Sequence, residues 1–453
     1  MMGSSAGQEE AANDSFFRQI NTGSTTRVEE SNPENDVLSK PEILSVLAKF
    51  FSSKDFVVDS YQFEKYPNPT SLSFGGEHLK LMITATDARQ GNTGSTPSDK
   101  KTYTFFVKKL PPAPDPSFPP TMTQAFLKET ELYSKVFVDF AEAQNPQSWK
   151  HWYPECYLTR PGEIMVLEDL LQSGYYRVAR RDCLSKEQLL ATMRALAAFH
   201  AASITLEEKM KETLLEAYEH IKLETDFICY PRTVFLETAI KSQLKLVEQL
   251  PGYSPVEMEM IKEQLPNLLR RIPTMAKAST KYRNVFIHGD LFPSNILFRD
   301  TNNNQLEATL VDYQMVRYAP PAMDLMMLLH LNQTKAFRIK EMQMMMQTYY
   351  NMFSEELTKN DICIQKVLPL KDFLESCREF TEWSTLQTVL YIQLHLLPDD
   401  IIEKYLSTPE LYQKNMMVDG SQMVTEAFTK DPLYNTRMTE AMNDLIKTCI
   451  KLV

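Results

Sequence analysis

The stretch VFIHGDLFPSNILF, residues 285–298, sets an acid and an amide, Asp290 and Asn295, five positions apart between two runs of apolar strand formers. Such flanks predict two short strands joined by a tight loop. Reacting side chains tend to sit on loops held by a rigid scaffold. An Asx-type turn would explain Asp290 and Asn295 by themselves. The next apolar run, ATLVDYQ (308–314), argues for more, because a second carboxylate, Asp312, stands at its end.

Transfer of a phosphoryl group from ATP to an alcohol requires these residue types. One carboxylate must meet the proton of the attacking hydroxyl, while an amide oxygen and a second carboxylate hold Mg2+ against the phosphates. Protein kinases space their catalytic-loop Asp and Asn in the same way and place a metal-binding Asp later, in D-F-G. Here Gly289 stands where H-R-D has Arg, and Asp312-Tyr313-Gln314 replaces D-F-G. That pattern suits small-molecule kinases.

Upstream, FVVDSYQFEKY (56–66), HLKLMITATDA (78–88) and KTYTFFVKKL (101–110) read as strands rich in β-branched and aromatic residues. RQGNTGSTPSDK (89–100) reads as an exposed hairpin loop. A helical period follows from about residue 121, and EIMVLEDL (163–170) is a further strand. Beyond 180 the pattern is helical, interrupted only around the opening stretch; EQLLATMRALAAFHAAS (187–203) lines Leu189, Met193, Leu196 and His200 along one face. The expected class is α+β. Residues 1–40, rich in Ser, Asn, Glu and Gly, read as a disordered tail; 41–168 as a small β-rich lobe opened by the helix PEILSVLAKFF; and 169–453 as a helical lobe carrying the loop and an acceptor pocket.

Composition narrows the function. A chain of 453 residues, 43% hydrophobic and 24% charged, can build real cores. A net charge of −11 argues against nucleic acid as the main partner. No stretch approaches the roughly 18 consecutive apolar residues of a membrane span. The acidic N-terminus is no secretory signal, and Gly7 stands where a myristoylation motif wants Ser or Thr. The six scattered cysteines form neither a disulfide framework nor a zinc site, which suits the cytoplasm.

With its motifs in order, FFVKKLPP, AFLKETELY, MVLEDL, LAAFHAAS, HGDLFPSNILF, LVDYQMVRYAPPAMDL and AFR, the chain resembles the ecdysteroid kinase-like family over about residues 60–400. That family is related to choline kinases and aminoglycoside phosphotransferases. The resemblance implies a protein-kinase-like, two-lobed fold with ATP in the cleft. It casts Lys108 as the strand lysine on the α- and β-phosphates, with Lys109 as fallback should the register slip by one. Glu129 becomes the helix glutamate that pairs with it. MVLEDL becomes the hinge, where main-chain groups around Glu168, Asp169 and Leu170 would meet adenine. Gly75 and Gly76, in SLSFGGEH (71–78), are candidates for the phosphate-covering loop. Asp290 is the expected base, Asn295 a metal ligand, and Asp312 the principal Mg2+ ligand.

His288 is expected to orient the loop rather than react, and His200 to be a core histidine. Asp324 is either a helix cap or a brace for the loop. Phe292 replaces a Trp common in the family and Tyr313 a Phe, both still aromatic. The methionines of EMQMMMQTYYNMF (341–353) read as core. The expected activity is ATP- and Mg2+-dependent phosphorylation of a hydroxyl on an ecdysteroid or hydroxylated xenobiotic. Its rivals are a choline or ethanolamine kinase, for which Glu382 and Trp383 could contribute to an ammonium cage, and a non-catalytic binder of lipophilic ligands. The acceptor's identity and the oligomeric state stay open.

Overall fold

The computed structural model of the chain describes residues 37–66, 76–87, 100–110, 120–145, 152–222, 232–301, 303 and 305–452. They fall into two compact units: one up to Gln62 and from Met82 to Tyr103, the other from Phe63 to Leu81 and from Thr104 onward.

In the first unit, α1 (Lys40–Phe51) starts at Ser39. There the Ser39 N–H donates to Glu42 Oε2 at 2.7 Å, satisfying a backbone donor that the helix itself cannot. Ile43, Val46 and Leu47 form the buried stripe that its period dictates. Leu38 is also fully buried. The fold therefore begins slightly earlier than the expected end of the tail; residues 1–36 lie outside the described residues. Strand β1 (Phe56–Lys65) follows, then β2 (Glu77–Asp87) and β3 (Lys101–Lys109). The Phe51 ring meets Tyr103 edge-on at 5.1 Å. The expected hairpin loop at 89–100 lies outside the described residues except for Lys100, which pairs with Asp59 at 2.7 Å.

In the second unit β5 (Ile164–Glu168) lies between β3 and β4 (Cys156–Arg160), in a sheet of order β1-β2-β3-β5-β4. β3 runs antiparallel to β5, with Lys108 opposite Met165. Helix α2 (Pro120–Glu131) passes through a π turn, Leu132–Val136, into α3 (Phe137–Ala143). The Phe137 ring stacks on Tyr153 at 4.1 Å and meets Tyr313 edge-on at 5.1 Å.

The remainder is mostly helical. α4 (Lys186–Met210) opens on Ser185, whose hydroxyl accepts from the Gln188 N–H. Among the described residues this one helix could cross a membrane by length and composition, but 83% of its apolar window is buried inside the protein, as in a core helix. β6 (Val285–Ile287) pairs antiparallel with β9 (Arg317–Ala319), and β7 (Ile296–Asp300) with β8 (Leu306–Leu310). α5 (Pro321–Asn332) is buried along its whole length, packed between α6 (Lys335–Thr358) and α7 (Leu370–His395). The α+β expectation holds.

Candidate active site

Strand β6 is fully buried and delivers His288, Gly289 and Asp290 into the loop. Gly289 has φ +77°, and a Cβ there would lie 2.6 Å from the Met315 carbonyl oxygen. Glycine is therefore what this position can hold, which accounts for the residue standing in place of Arg. Gly289→Ala should destabilise the protein by about 1 to 3 kcal/mol. An unchanged urea midpoint would show that the loop can reshape around the added methyl.

Asp324, on α5, holds the loop from behind. Its Oδ2 accepts the His288 N–H at 2.6 Å and its Oδ1 accepts the Gly289 N–H at 2.9 Å. The same carboxylate meets His200 Nε2 at 3.2 Å, and His200 Nδ1 bonds the Tyr349 hydroxyl. All four side chains, including His288, are fully buried. Asp324 caps no helix end, since α5 begins after Pro320. His288 has both ring nitrogens engaged: Nε2 donates to the Val311 carbonyl at 3.0 Å, and Nδ1 accepts the Asp290 N–H at 3.3 Å. Burial keeps both imidazoles below their ordinary pKa, hence neutral.

Asp290 and Asn295 form a clamp. Asn295 Nδ2 donates to the Asp290 carbonyl and to Asp290 Oδ2, each at 3.0 Å. With its nitrogen so committed, Asn295 Oδ1 is left with no hydrogen bond to a described residue. The Asn295 carbonyl accepts the Val311 N–H at 3.0 Å, so the residue before Asp312 is tied to the same turn. Asp312 adopts the left-handed conformation, φ +66° and ψ +63°, which only a short polar side chain tolerates readily.

Lys108 lies between two carboxylates. Its Nζ is 2.6 Å from Glu129 Oε2 and 2.7 Å from Asp312 Oδ1. Glu129 Oε1 accepts the Tyr313 N–H at 3.2 Å, so one glutamate aligns both the lysine and the backbone after Asp312. Lys109 points the other way along β3, toward Glu77 at 3.7 Å, and is about a third exposed. Strand alternation thus selects Lys108 as the inward lysine.

Burial would strip the proton from Lys108, but Asp312 and Glu129 outweigh it and hold the ammonium well above its usual range. Burial lifts Glu129 to about 7, against the pull of Lys108 and with the help of the Asp312 charge. Asp312 is lifted by burial too, yet Lys108 leaves it below the ordinary carboxylate range. One ammonium faces two carboxylates, so the cluster carries surplus negative charge.

These donors fit Mg2+. The ion takes oxygen ligands, one or two from protein, and completes its octahedron with phosphate and water. Asp312 and the uncommitted Asn295 Oδ1 meet that requirement. Among the described residues no three His, Cys, Asp or Glu converge into a complete metal cage.

At the expected hinge, Glu168 is held by the Ser173 hydroxyl at 2.6 Å, and the Leu170 carbonyl accepts the Tyr175 N–H. The Asp169 side chain, which the sequence reading passed over, accepts the Tyr66 hydroxyl at 2.8 Å through Oδ1, while its Oδ2 is buried without a partner. His78, which no sequence motif marks, places its ring 5.1 Å from that of Phe106, two residues before Lys108 on β3. Burial, with the Lys108 charge, lowers His78 to about 4. Gly76 has φ +132°, and a Cβ there would come within 2.7 Å of the Lys109 carbonyl oxygen. Close strand packing explains this glycine without a phosphate; Gly75 lies outside the described residues. Trp383 is 1% exposed and Glu382 is turned to Arg271 at 2.7 Å, so neither contributes to an ammonium cage.

The sequence model of the ecdysteroid kinase-like family matches residues 83–361. No curated protein matches the chain. Similar solved structures include a Plasmodium vivax ethanolamine kinase, with 12% identity over 83% of each chain and a TM-score of 0.34. The choline kinase LicA from Streptococcus pneumoniae has 13% identity over 89% of this chain and 99% of that one, with a TM-score of 0.34. The GDP and kanamycin complex of the phosphotransferase APH(2")-IIIa has 11% identity over 86% of this chain and 100% of that one, with a TM-score of 0.35. These likenesses are slight.

Proposed function

The chain belongs to the ecdysteroid kinase-like family and has a protein-kinase-like α+β fold, and from that premise we propose that it transfers the γ-phosphate of ATP to a hydroxyl of an ecdysteroid or a hydroxylated xenobiotic. The observation that carries this reading is the Lys108 ammonium held between Glu129 and Asp312, in a chain whose Asp290–Asn295 clamp is tied to the same turn.

In this reading the donor's phosphates lie against Lys108, which Glu129 keeps aimed, and the base lies against the main chain of Glu168 and Leu170. Asp290 presents its carboxylate to the acceptor hydroxyl, orients it and takes its proton as the oxygen attacks phosphorus. The Asn295 amide fixes the angle of that carboxylate. Asn295 Oδ1 and Asp312 would hold Mg2+, which when bound neutralises charge on the phosphates. A cytoplasmic location is part of this reading and accords with the scattered spacing of the six cysteines.

A thermal-shift series tests the reading against that of a non-catalytic binder. ATP with Mg2+ should raise the melting temperature by a few degrees, since ligand at a hundred times Kd is worth about 2.7 kcal/mol. EDTA should abolish the shift. Stabilisation by a polyhydroxylated steroid alone, with none from Mg·ATP, would favour the binder.

A further inference from the structure

His78 stands two residues past Gly76, and the fold fixes which way it faces. Gly76 lies so close to the Lys109 carbonyl that it pins the start of β2 on the end of β3. Alternation along β2 then buries Leu79 and Leu81 and turns His78 to the opposite face. Along β3 the same alternation buries Phe105 and Val107 on one face and puts Phe106 on the face of Lys108. The His78 and Phe106 rings meet with centroids 5.1 Å apart, so His78 shares the lysine's face.

The groups on this face follow one another in a row. The Tyr66 hydroxyl donates to Asp169 Oδ1 at 2.8 Å, and the Tyr66 ring meets Phe106 edge-on at 5.1 Å. The Tyr66 N–H donates to the His78 carbonyl at 3.0 Å. The charges that act on the His78 ring are those of Lys108, Asp312 and Arg177. From the expected hinge outward the row is therefore Asp169, Tyr66, Phe106, His78 and Lys108. A nucleotide with its base at the hinge and its phosphates against Lys108 would pass His78 on the way. The ring is half-buried, hence within reach, and neither of its nitrogens makes a hydrogen bond to a described residue. Arg177 is exposed and likewise forms no hydrogen bond or ion pair among the described residues.

We propose that His78 is a further nucleotide-binding residue, whose imidazole N–H donates to the phosphate chain of ATP beside Lys108. This rests on the kinase reading above. A neutral imidazole carries one N–H donor, and ionised phosphate oxygens only accept. A hydrogen bond to an ionised acceptor is of the stronger kind. Burial, followed by the Lys108 charge, keeps the ring uncharged. His78 thus supplies direction where Lys108 supplies charge. Contact with Phe106 holds the imidazole in place before the ligand arrives, so little side-chain freedom is lost on binding. The contact differs from that of a glycine-rich loop, which offers main-chain N–H groups to the phosphates.

The test is direct binding of Mg·ATP, Mg·ADP and adenosine to the full chain, as wild type and as three variants. His78→Ala should weaken both phosphorylated ligands about tenfold or more, the loss expected of one hydrogen bond to a charged group. Adenosine affinity should stay within about twofold, which also reports a folded cleft. His78→Phe keeps a ring against Phe106 but has no donor, so it should bind as the alanine variant does. His78→Gln, which restores an N–H on a side chain of similar reach, should recover part of the loss. An equal loss for adenosine, full affinity in the phenylalanine variant, no recovery with glutamine, or Mg·ATP binding unmoved by alanine would each overturn the assignment and leave the kinase reading standing. Absence of Mg·ATP binding in wild type would instead sink that reading, and this inference with it.

Discussion

Asp290→Asn is expected to leave Mg·ATP affinity near its wild-type value while turnover falls by about 10² to 10⁴-fold. The substitution keeps the shape of the side chain and an oxygen that can still accept from Asn295 Nδ2, so the clamp that holds the loop should survive. What disappears is the ability to take a proton from the acceptor hydroxyl as it attacks. That factor corresponds to about 3 to 5.5 kcal/mol of barrier. Parallel measurement of kcat and of Mg·ATP dissociation decides the matter. Near-normal kcat removes Asp290 from proton transfer, and a collapse of nucleotide affinity recasts it as a binding residue.

The second large effect concerns stability. Lys108→Met should cost about 3 to 5 kcal/mol near pH 8, because it leaves two buried carboxylates without their cation. The pH dependence has a definite sign. Glu129 sits at about 7 when folded, against 4.5 for an ordinary glutamate. The native state therefore binds a proton more readily than the unfolded chain, so this group contributes stability below about 4.5 that is lost as pH rises through 7. Asp312 works the opposite way in wild type, because Lys108 depresses it. Without Lys108 it loses that support and moves upward with Glu129. The deficit of the variant should thus be largest at pH 8 and shrink toward pH 5.5, as read from urea midpoints of both proteins. A deficit independent of pH would assign Lys108 a packing role instead.

Much of the site could be read from the chain because its acids stand at the ends of short apolar runs, where strand periodicity is strong. Asp290, Asn295 and Asp312 were found in this way, and the structure links Asp290 to Asn295 directly and Asp312 through Val311. The choice between Lys108 and Lys109 needed coordinates, since adjacent strand residues differ in direction and not in type. Asp324 lay one step further from view. Nothing in AMDLMMLL tells whether a carboxylate inside the first turns of a helix faces solvent or two amide hydrogens of a distant loop. Tyr349 was hidden in a run of Met and Tyr for the same reason. Tyr391 and His395 stand four residues apart on one helix face, but no local pattern announces that Phe292 packs on His395. Gly76 is ambiguous in the sequence because glycine serves close strand packing as readily as it serves phosphate.

The buried chain from Tyr349 through His200 to Asp324 has a consequence for how the protein comes to be competent. The loop after β6 is fastened by its own neighbours and also by Asp324 of a helix that leaves the ribosome later. That carboxylate meets His200 of an earlier helix, which is in turn held by Tyr349 of one later still. A nascent chain could carry every group needed for chemistry and still lack the means to hold them in place. Competence would then arrive abruptly, with the docking of a segment that never touches what it enables.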